Sequence, residues 1–134
     1  MSDRKGKAAS LNKLGNIARK RGDLDVAERL YRESLAITKE IDDRGGEATL
    51  LNNLGLIASA RDDLVEAERF YREGQAIKRE IGDRGGEATL LKNLGSIADR
   101  RGDQDEAHRC YTESVRIKRE IGIPIDQWLI DRGY

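Results

Sequence analysis

Little in this 134-residue chain could cross-link it, interrupt its helices or build a large aromatic core. A single cysteine, Cys110, excludes an internal disulfide and points to a reducing, intracellular setting. A single proline and 4% aromatics argue against a sandwich or barrel. Neither sign of charge dominates, with 25 Lys and Arg against 25 Asp and Glu, so no overall field draws the chain to nucleic acid or anionic lipid. No apolar run approaches the roughly 20 residues of a membrane helix. The polar start Met1-Ser2-Asp3-Arg4-Lys5 lacks the apolar stretch of a signal peptide. The expected setting is the cytoplasm. One histidine, His108, and one cysteine cannot assemble a tetrahedral zinc site, and no cofactor is expected.

What the chain does have is repetition. Asp43-Arg44-Gly45-Gly46-Glu47-Ala48-Thr49-Leu50-Leu51 returns letter for letter at Asp83–Leu91, and Ile41–Glu80 matches Ile81–Glu120 at 26 of 40 positions. A looser first copy opens near Asp3-Arg4-Lys5-Gly6. A fixed period of this size marks one supersecondary unit stacked on copies of itself. The charged fraction of 37% suits exposed helical surface. Leu50, Leu51, Leu54, Ile57 and Ala58 recur at spacings of three and four, an amphipathic helix. Gly22 and Gly102 suit a left-handed residue closing a helix, and Asp62 can take that conformation at some cost. Asp63-x-x-Glu66 and Asp103-x-x-Glu106 have capping-box spacing. Gly82-Asp83-Arg84-Gly85-Gly86 reads as a linker between repeats. The pattern predicts helices at about 8–21, 24–41, 47–61, 64–81, 87–101 and 104–121, grouped in repeats over about 3–42, 43–82 and 83–122.

These residues resemble the tetratricopeptide repeat family. Leu14-Gly15, Leu54-Gly55 and Leu94-Gly95 match its Leu-Gly pair; Ala27, Ala67 and Ala107 match its small residue, and Tyr31, Tyr71 and Tyr111 its following aromatic. The resemblance covers about residues 3–121. The 40-residue period exceeds the usual 34, a basic residue (Lys39, Arg79 or Arg119) replaces the late proline, and Leu11, Leu51 and Leu91 replace the first-helix aromatic. In these respects the chain is similar to the long repeats of kinesin light chains and spindle-orientation scaffolds. The resemblance implies an all-α, right-handed superhelical solenoid of three antiparallel helix pairs within one domain over 1–134. Gly in the first helix and Ala in the second would let two backbones approach, with the aromatic plugging the gap to the next repeat.

Residues 123–134 break the pattern. Pro124 suits the first turn of a new helix, and Ile125, Trp128 and Leu129 then share one face, as a C-terminal capping helix would require. Packing on the third repeat is the favoured role for Trp128 over stacking on a ligand. The chain opens almost in phase with the repeat, which suits either a start at this point or excision from a longer array.

The sequence offers little for catalysis, and an enzyme is not expected. His108 replaces Glu28 and Glu68 on an outward stripe, and Cys110 occupies the apolar slot of Leu30 and Phe70. Carboxylates such as Glu28, Glu68 and Glu113 pair in sequence with Arg32, Arg72 and Arg109 four residues away. Arg-Gly-Gly before a helix lacks the Gly-Lys-Ser/Thr continuation of a phosphate loop.

The expected function is binding of a protein, as an extended or helical peptide segment. The family resemblance implies that first helices line a concave groove, with Asn12, Lys13, Asn16 and Arg19 from the first copy. Asn52, Asn53 and Leu56 follow from the second, then Thr89, Lys92, Asn93, Ser96 and Arg100 from the third. Asn53 and Asn93, each just before the Leu-Gly, stand where related scaffolds hold a peptide backbone, and both are expected to face solvent in an empty groove. Lys13, Arg19, Lys20, Lys92 and Arg100 against Asp99 give a cationic groove that suits an acidic partner. A two-carboxylate clamp for chaperone tails is not expected, since Asn12, Thr89 and Asn93 stand where its basic residues belong. The alternatives are self-assembly, through the uncovered Leu11, Leu14 and Ile17 or through hinging at the Gly-Gly segments, and a sensor arm of a larger signalling protein.

Overall fold

The computed structural model describes residues 3–134, and among them every regular element is a helix. The helices are α1 (Arg4–Lys20), α2 (Leu24–Glu40), α3 (Arg44–Ala60), α4 (Leu64–Glu80), α5 (Arg84–Arg100), α6 (Gln104–Ile121) and α7 (Gln127–Asp131). Contacts group the chain into two compact units, one ending at Phe70 and one running Tyr71–Tyr134, so the division falls inside α4.

A 20-residue rule underlies the 40-residue period. Asp3, Asp23, Asp43, Asp63, Asp83 and Asp103 each precede a helix. The carboxylates of Asp43 and Asp83 accept from the Gly46 and Gly86 amides at 3.0 and 2.9 Å; Asp63 and Asp103 accept from Glu66 and Glu106 at 3.3 and 3.1 Å. Each satisfies an otherwise orphaned donor of the first turn. Before Asp23, Asp43, Asp63, Asp83 and Asp103 sits a left-handed residue: Gly22, Asp42, Asp62, Gly82 or Gly102. The Asp23, Asp43, Asp63, Asp83 and Asp103 amides then bond back to the carbonyls of Ala18, Thr38, Ala58, Lys78 and Ala98, closing a Schellman motif at each turn. Turns within and between repeats are therefore alike, three residues long.

This corrects the sequence reading. Arg44-Gly45-Gly46 and Arg84-Gly85-Gly86 are the first turns of α3 and α5, not linkers, so these helices start three residues earlier than the pattern predicts. The glycine at the third helical position makes room for the cap: a Cβ on Gly46 would lie 2.5 Å from Asp43 Oδ2. Of each capping box one half forms, the Glu66 or Glu106 amide donating to the Asp63 or Asp103 carboxylate, while the Glu66 and Glu106 carboxylates pair with Arg69 and Arg109.

In the first unit, α1 and α2 pack on one another, and α2 on α3. Ala8, Ala27, Tyr31, Leu50, Leu54 and Ile57 are buried. The Ser34 hydroxyl, fully buried on α2, donates to the Ala8 carbonyl of α1 at 2.7 Å. In the second unit α5 and α6 form the corresponding pair. Ser114 of α6 donates to the Ala88 carbonyl of α5 at 2.6 Å. Gly15 and Gly95 face the rings of Tyr31 and Tyr111, so the glycine opens space for its own repeat's tyrosine.

The series ends where Ile123 takes the place of the next aspartate. Residues 123–126 are not helical, and Asp126 is the N-cap of the five-residue α7, so Pro124 precedes the helix instead of opening it. Leu129, fully buried, joins Ala98, Ala107, Tyr111 and Val115, flanked by Ile125 and Tyr134. Leu129 is the plug; Trp128 lies beside it with 40% of its surface exposed, its ring edge-on to Tyr111 at 5.3 Å.

Candidate functional site

The sequence-predicted binding residues in the first unit surround two polar clusters carried by α1. Asn53 of α3 is buried, and its Nδ2 donates to Asn12 Oδ1 at 2.8 Å. Asn53 does not face solvent as expected: it is bound across the α1–α3 junction by the amide one repeat earlier. The bond leaves the Asn12 Nδ2 donors and the Asn53 Oδ1 acceptor outside it, and an amide pair so arranged presents both hydrogen-bonding roles. Beside it runs a cleft of about 220 Å³, lined by Lys5, Ala9, Asn12, Thr49 and Leu50 over a floor that includes Ala8 and Ser34.

One turn along α1, Asn16 and Arg19 converge on the Tyr31 hydroxyl. Tyr31 donates to Asn16 Oδ1 at 2.6 Å, and Arg19 Nε donates to the Tyr31 oxygen at 3.1 Å. Arg19 is thus half-buried and engaged, whereas Lys13 and Lys20 are exposed. Asn52 and Leu56 are half-buried.

In the second unit the corresponding positions are occupied by the C-terminal segment. Lys92 pairs with Asp126 at 3.0 Å, a carboxylate that also lies 3.8 Å from Lys118. Lys92 is therefore already neutralised, a correction to its expected role as a free attractor of acidic side chains. The Tyr111 hydroxyl donates to Asp99 Oδ2 at 2.7 Å and lies 3.3 Å from Ser96 Oγ, repeating the Tyr31 arrangement with different partners. Asp99 also receives Arg132 Nη1 at 2.8 Å, and the Arg132 guanidinium stacks 5.2 Å over the Tyr111 ring. Burial, reinforced by Asp99, pushes the Tyr111 phenol up to about 12. Lys92 holds the Asp126 carboxyl below its ordinary range, and Arg132 does the same for Asp99. Thr89 is exposed with its hydroxyl on the Gly85 carbonyl at 3.2 Å, Asn93 is half-buried, and Arg100 is exposed.

The remaining reactive groups are engaged in structure. His108 Nδ1 lies 3.0 Å from the Tyr134 hydroxyl, and the buried Cys110 thiol lies 3.5 Å from Glu106. Among the described residues no cluster of His, Cys, Asp and Glu is placed to hold a metal ion, and no helix is long and apolar enough to cross a membrane. Of the surface pairs, Glu28–Arg32 forms at 3.0 Å, while Glu113 takes Arg116 and Arg109 takes Glu106, each three residues away.

A two-helix unit with a glycine under a tyrosine ring, repeated along the chain, agrees with the family model for the tetratricopeptide repeat, which matches residues 6–80. The chain is a tetratricopeptide repeat protein. Solved structures share the fold. BtubC (BKLC) from P. vanneervenii superposes with a TM-score of 0.80 at 23% identity over 89% of this chain, which spans about half (49%) of that protein. The N-terminal domain of stress-induced protein-1 (STI-1) from C. elegans gives 0.77 at 20% identity, covering 98% of this chain and 95% of that one. The tetratricopeptide domain of Arabidopsis FLU gives 0.79 at 17% identity, covering 84% and 95%. No curated protein matches. The fold is thus that of an all-α tetratricopeptide solenoid, a repeat module of the protein-interaction type.

Sequence reasoning missed the buried serines that tie the second helix of this tetratricopeptide chain to the first. Their signal was present: Ser34 and Ser114 occupy one repeat position, with Gly74 between them. The grip of Asp126 and Arg132 on Lys92 and Asp99 had no such signal, because the last twelve residues have no second copy.

Proposed function

We propose that this chain is a protein-interaction module, one repeat domain over 1–134, that holds an extended or helical peptide segment along its first helices. The observation that carries the reading is the Asn12–Asn53 pair at the edge of the α1–α3 cleft, which offers a donor and an acceptor to a peptide backbone, with Lys13 exposed next to Asn12 in the sequence. Asn16, Arg19, Asn52 and Leu56 complete the first-unit surface. Thr89, Asn93, Ser96 and Arg100 form a separate stretch in the second, where Lys92 is committed to Asp126. An acidic segment suits Lys13 and Lys20; nucleic acid, membrane and cofactor have no place in the reading, nor does catalysis, and the cytoplasm is its setting. Domain swapping at the Gly-Gly segments is not part of it, because they lie inside helices.

The test is an affinity pulldown followed by titration of the recovered partner. Asn12→Ala should weaken binding by roughly 0.5–1.5 kcal/mol through the lost amide. Lys13→Glu should slow association and reduce its salt dependence. Glu68→Ala and Arg109→Ala on the second helices should do neither. Equal affinities across all four variants would overturn the groove reading.

A further inference from the structure

The first-unit helices carry an uncovered copy of a surface that is covered one repeat later. On α3, Leu54 and Ile57 are buried, at 1 and 2% exposure, and line a cleft with Glu28 and Arg32 of α2 and Phe70 of α4. At the end of the same stripe, Arg61 pairs with Asp25 and Glu28 of α2, and holds the Glu28 carboxyl below its ordinary range. Forty residues earlier on α1, Leu14 and Ile17 are 52 and 47% exposed. Arg21 stands where Arg61 does, exposed, and among the described residues no ion pair or hydrogen bond reaches its side chain.

The substitutions flanking this stripe make it more apolar, not less. Val26 occupies the position held by Glu66 and Glu106 in the other repeats, and Leu30 that of Phe70. At an exposed stripe of this kind the first repeat replaces a carboxylate with valine and retains the leucine and isoleucine. Contiguous apolar surface of this kind marks an interaction site.

We propose that the Leu14–Ile17–Arg21 stripe of α1 is a docking site for an amphipathic helix of a partner protein, one that presents two carboxylates three residues apart to Arg21. The occupant's chemistry is read from α2, whose Asp25 and Glu28 meet Arg61 in this way beside the stripe of Leu54 and Ile57. This site is separate from the α1–α3 cleft, so its failure leaves the peptide-binding reading standing.

The probe is a fluorescein-labelled, hydrocarbon-stapled peptide with the sequence of residues 23–41, titrated with the full chain by fluorescence anisotropy. Saturable binding is expected, weakened by about tenfold or more in Ile17→Asp, where a charge enters the apolar contact. Arg21→Glu should weaken it similarly, and a peptide carrying Asp25→Lys and Glu28→Lys should recover binding to that variant, as charge complementarity requires. Both side chains are exposed, and circular dichroism should show unchanged helix content in both variants. Absence of saturation, or equal binding by the parent chain and Ile17→Asp, would overturn the proposal. So would light scattering that shows a dimer abolished by Ile17→Asp, since a second copy would then be the occupant.

Discussion

Gly95 and Gly85 lie in one helix and carry opposite expectations. A Cβ on Gly95 would come within 2.5 Å of Tyr111 Cε1, on a ring fixed by Asp99, Trp128 and Tyr134. Gly95→Ala should therefore lower stability by about 1–3 kcal/mol through overpacking. A Cβ on Gly85 would have its nearest neighbours at 3.9 Å, ordinary contact, in helical backbone. Gly85→Ala should raise stability by about 0.4–1 kcal/mol by restricting the unfolded chain. Urea denaturation of the two variants beside the parent checks both signs at once. The Leu-Gly pair was legible in the sequence because it recurs. That the tyrosine ring lies against the glycine of its own repeat was not legible, since spacing alone does not give side-chain direction.

At the scale of the element, helix number, order and second-helix boundaries followed from periodicity, and the first helices α1, α3 and α5 were read short. Two adjacent glycines look like a linker by propensity, but the preceding Asp43 and Asp83 caps and the packing of Ala48 and Ala88 hold them in the helix. The turns themselves are unequal. Asp42 and Asp62 hold the left-handed conformation, with φ of 56° and 61°, that glycine holds at the other turns. Asp42→Gly and Asp62→Gly should each raise the melting temperature, relieving about 1 kcal/mol of backbone strain. Differential scanning calorimetry measures the shift. The C-terminal segment answers to pH instead. Asp126 and Asp99 are both held below the ordinary carboxyl value of 3.8 by Lys92 and Arg132. Their contribution is therefore fully present above about pH 4 and is lost as acid protonates them in the folded chain. Trp128, the single tryptophan, lies within 5.8 Å of Arg132 and should report the release as a change in emission below about pH 4. Lys92→Gln should move that change toward higher pH for Asp126.

Across the whole molecule, the candidate binding residues divide by how their partners are encoded. Asn12 and Asn53 find each other because copies of one repeat stand side by side, whereas Lys92 and Asp99 are claimed by a segment without a copy. Repetition thus tells where a position faces, and the unrepeated tail decides whether that position is free. The tail also fixes where the array should fail first. In repeat proteins stability is close to a sum of unit and neighbour terms, and here residues 123–134 bury Leu129 against Ala98, Ala107, Tyr111 and Val115, all in the second unit. Truncation after Gly122 exposes that cluster and frees Asp99 and Lys92. Native-state hydrogen exchange should then show faster exchange in α5 and α6, while the α1–α2 amides hold nearly unchanged protection, because local openings follow local burial. Leu129→Ala in the full chain should give the same pattern at smaller amplitude, lowering stability by roughly 2–5 kcal/mol as a buried leucine does. Uniform acceleration across α1–α6 would instead mean that the chain unfolds as one cooperative body and that the tail acts on all of it.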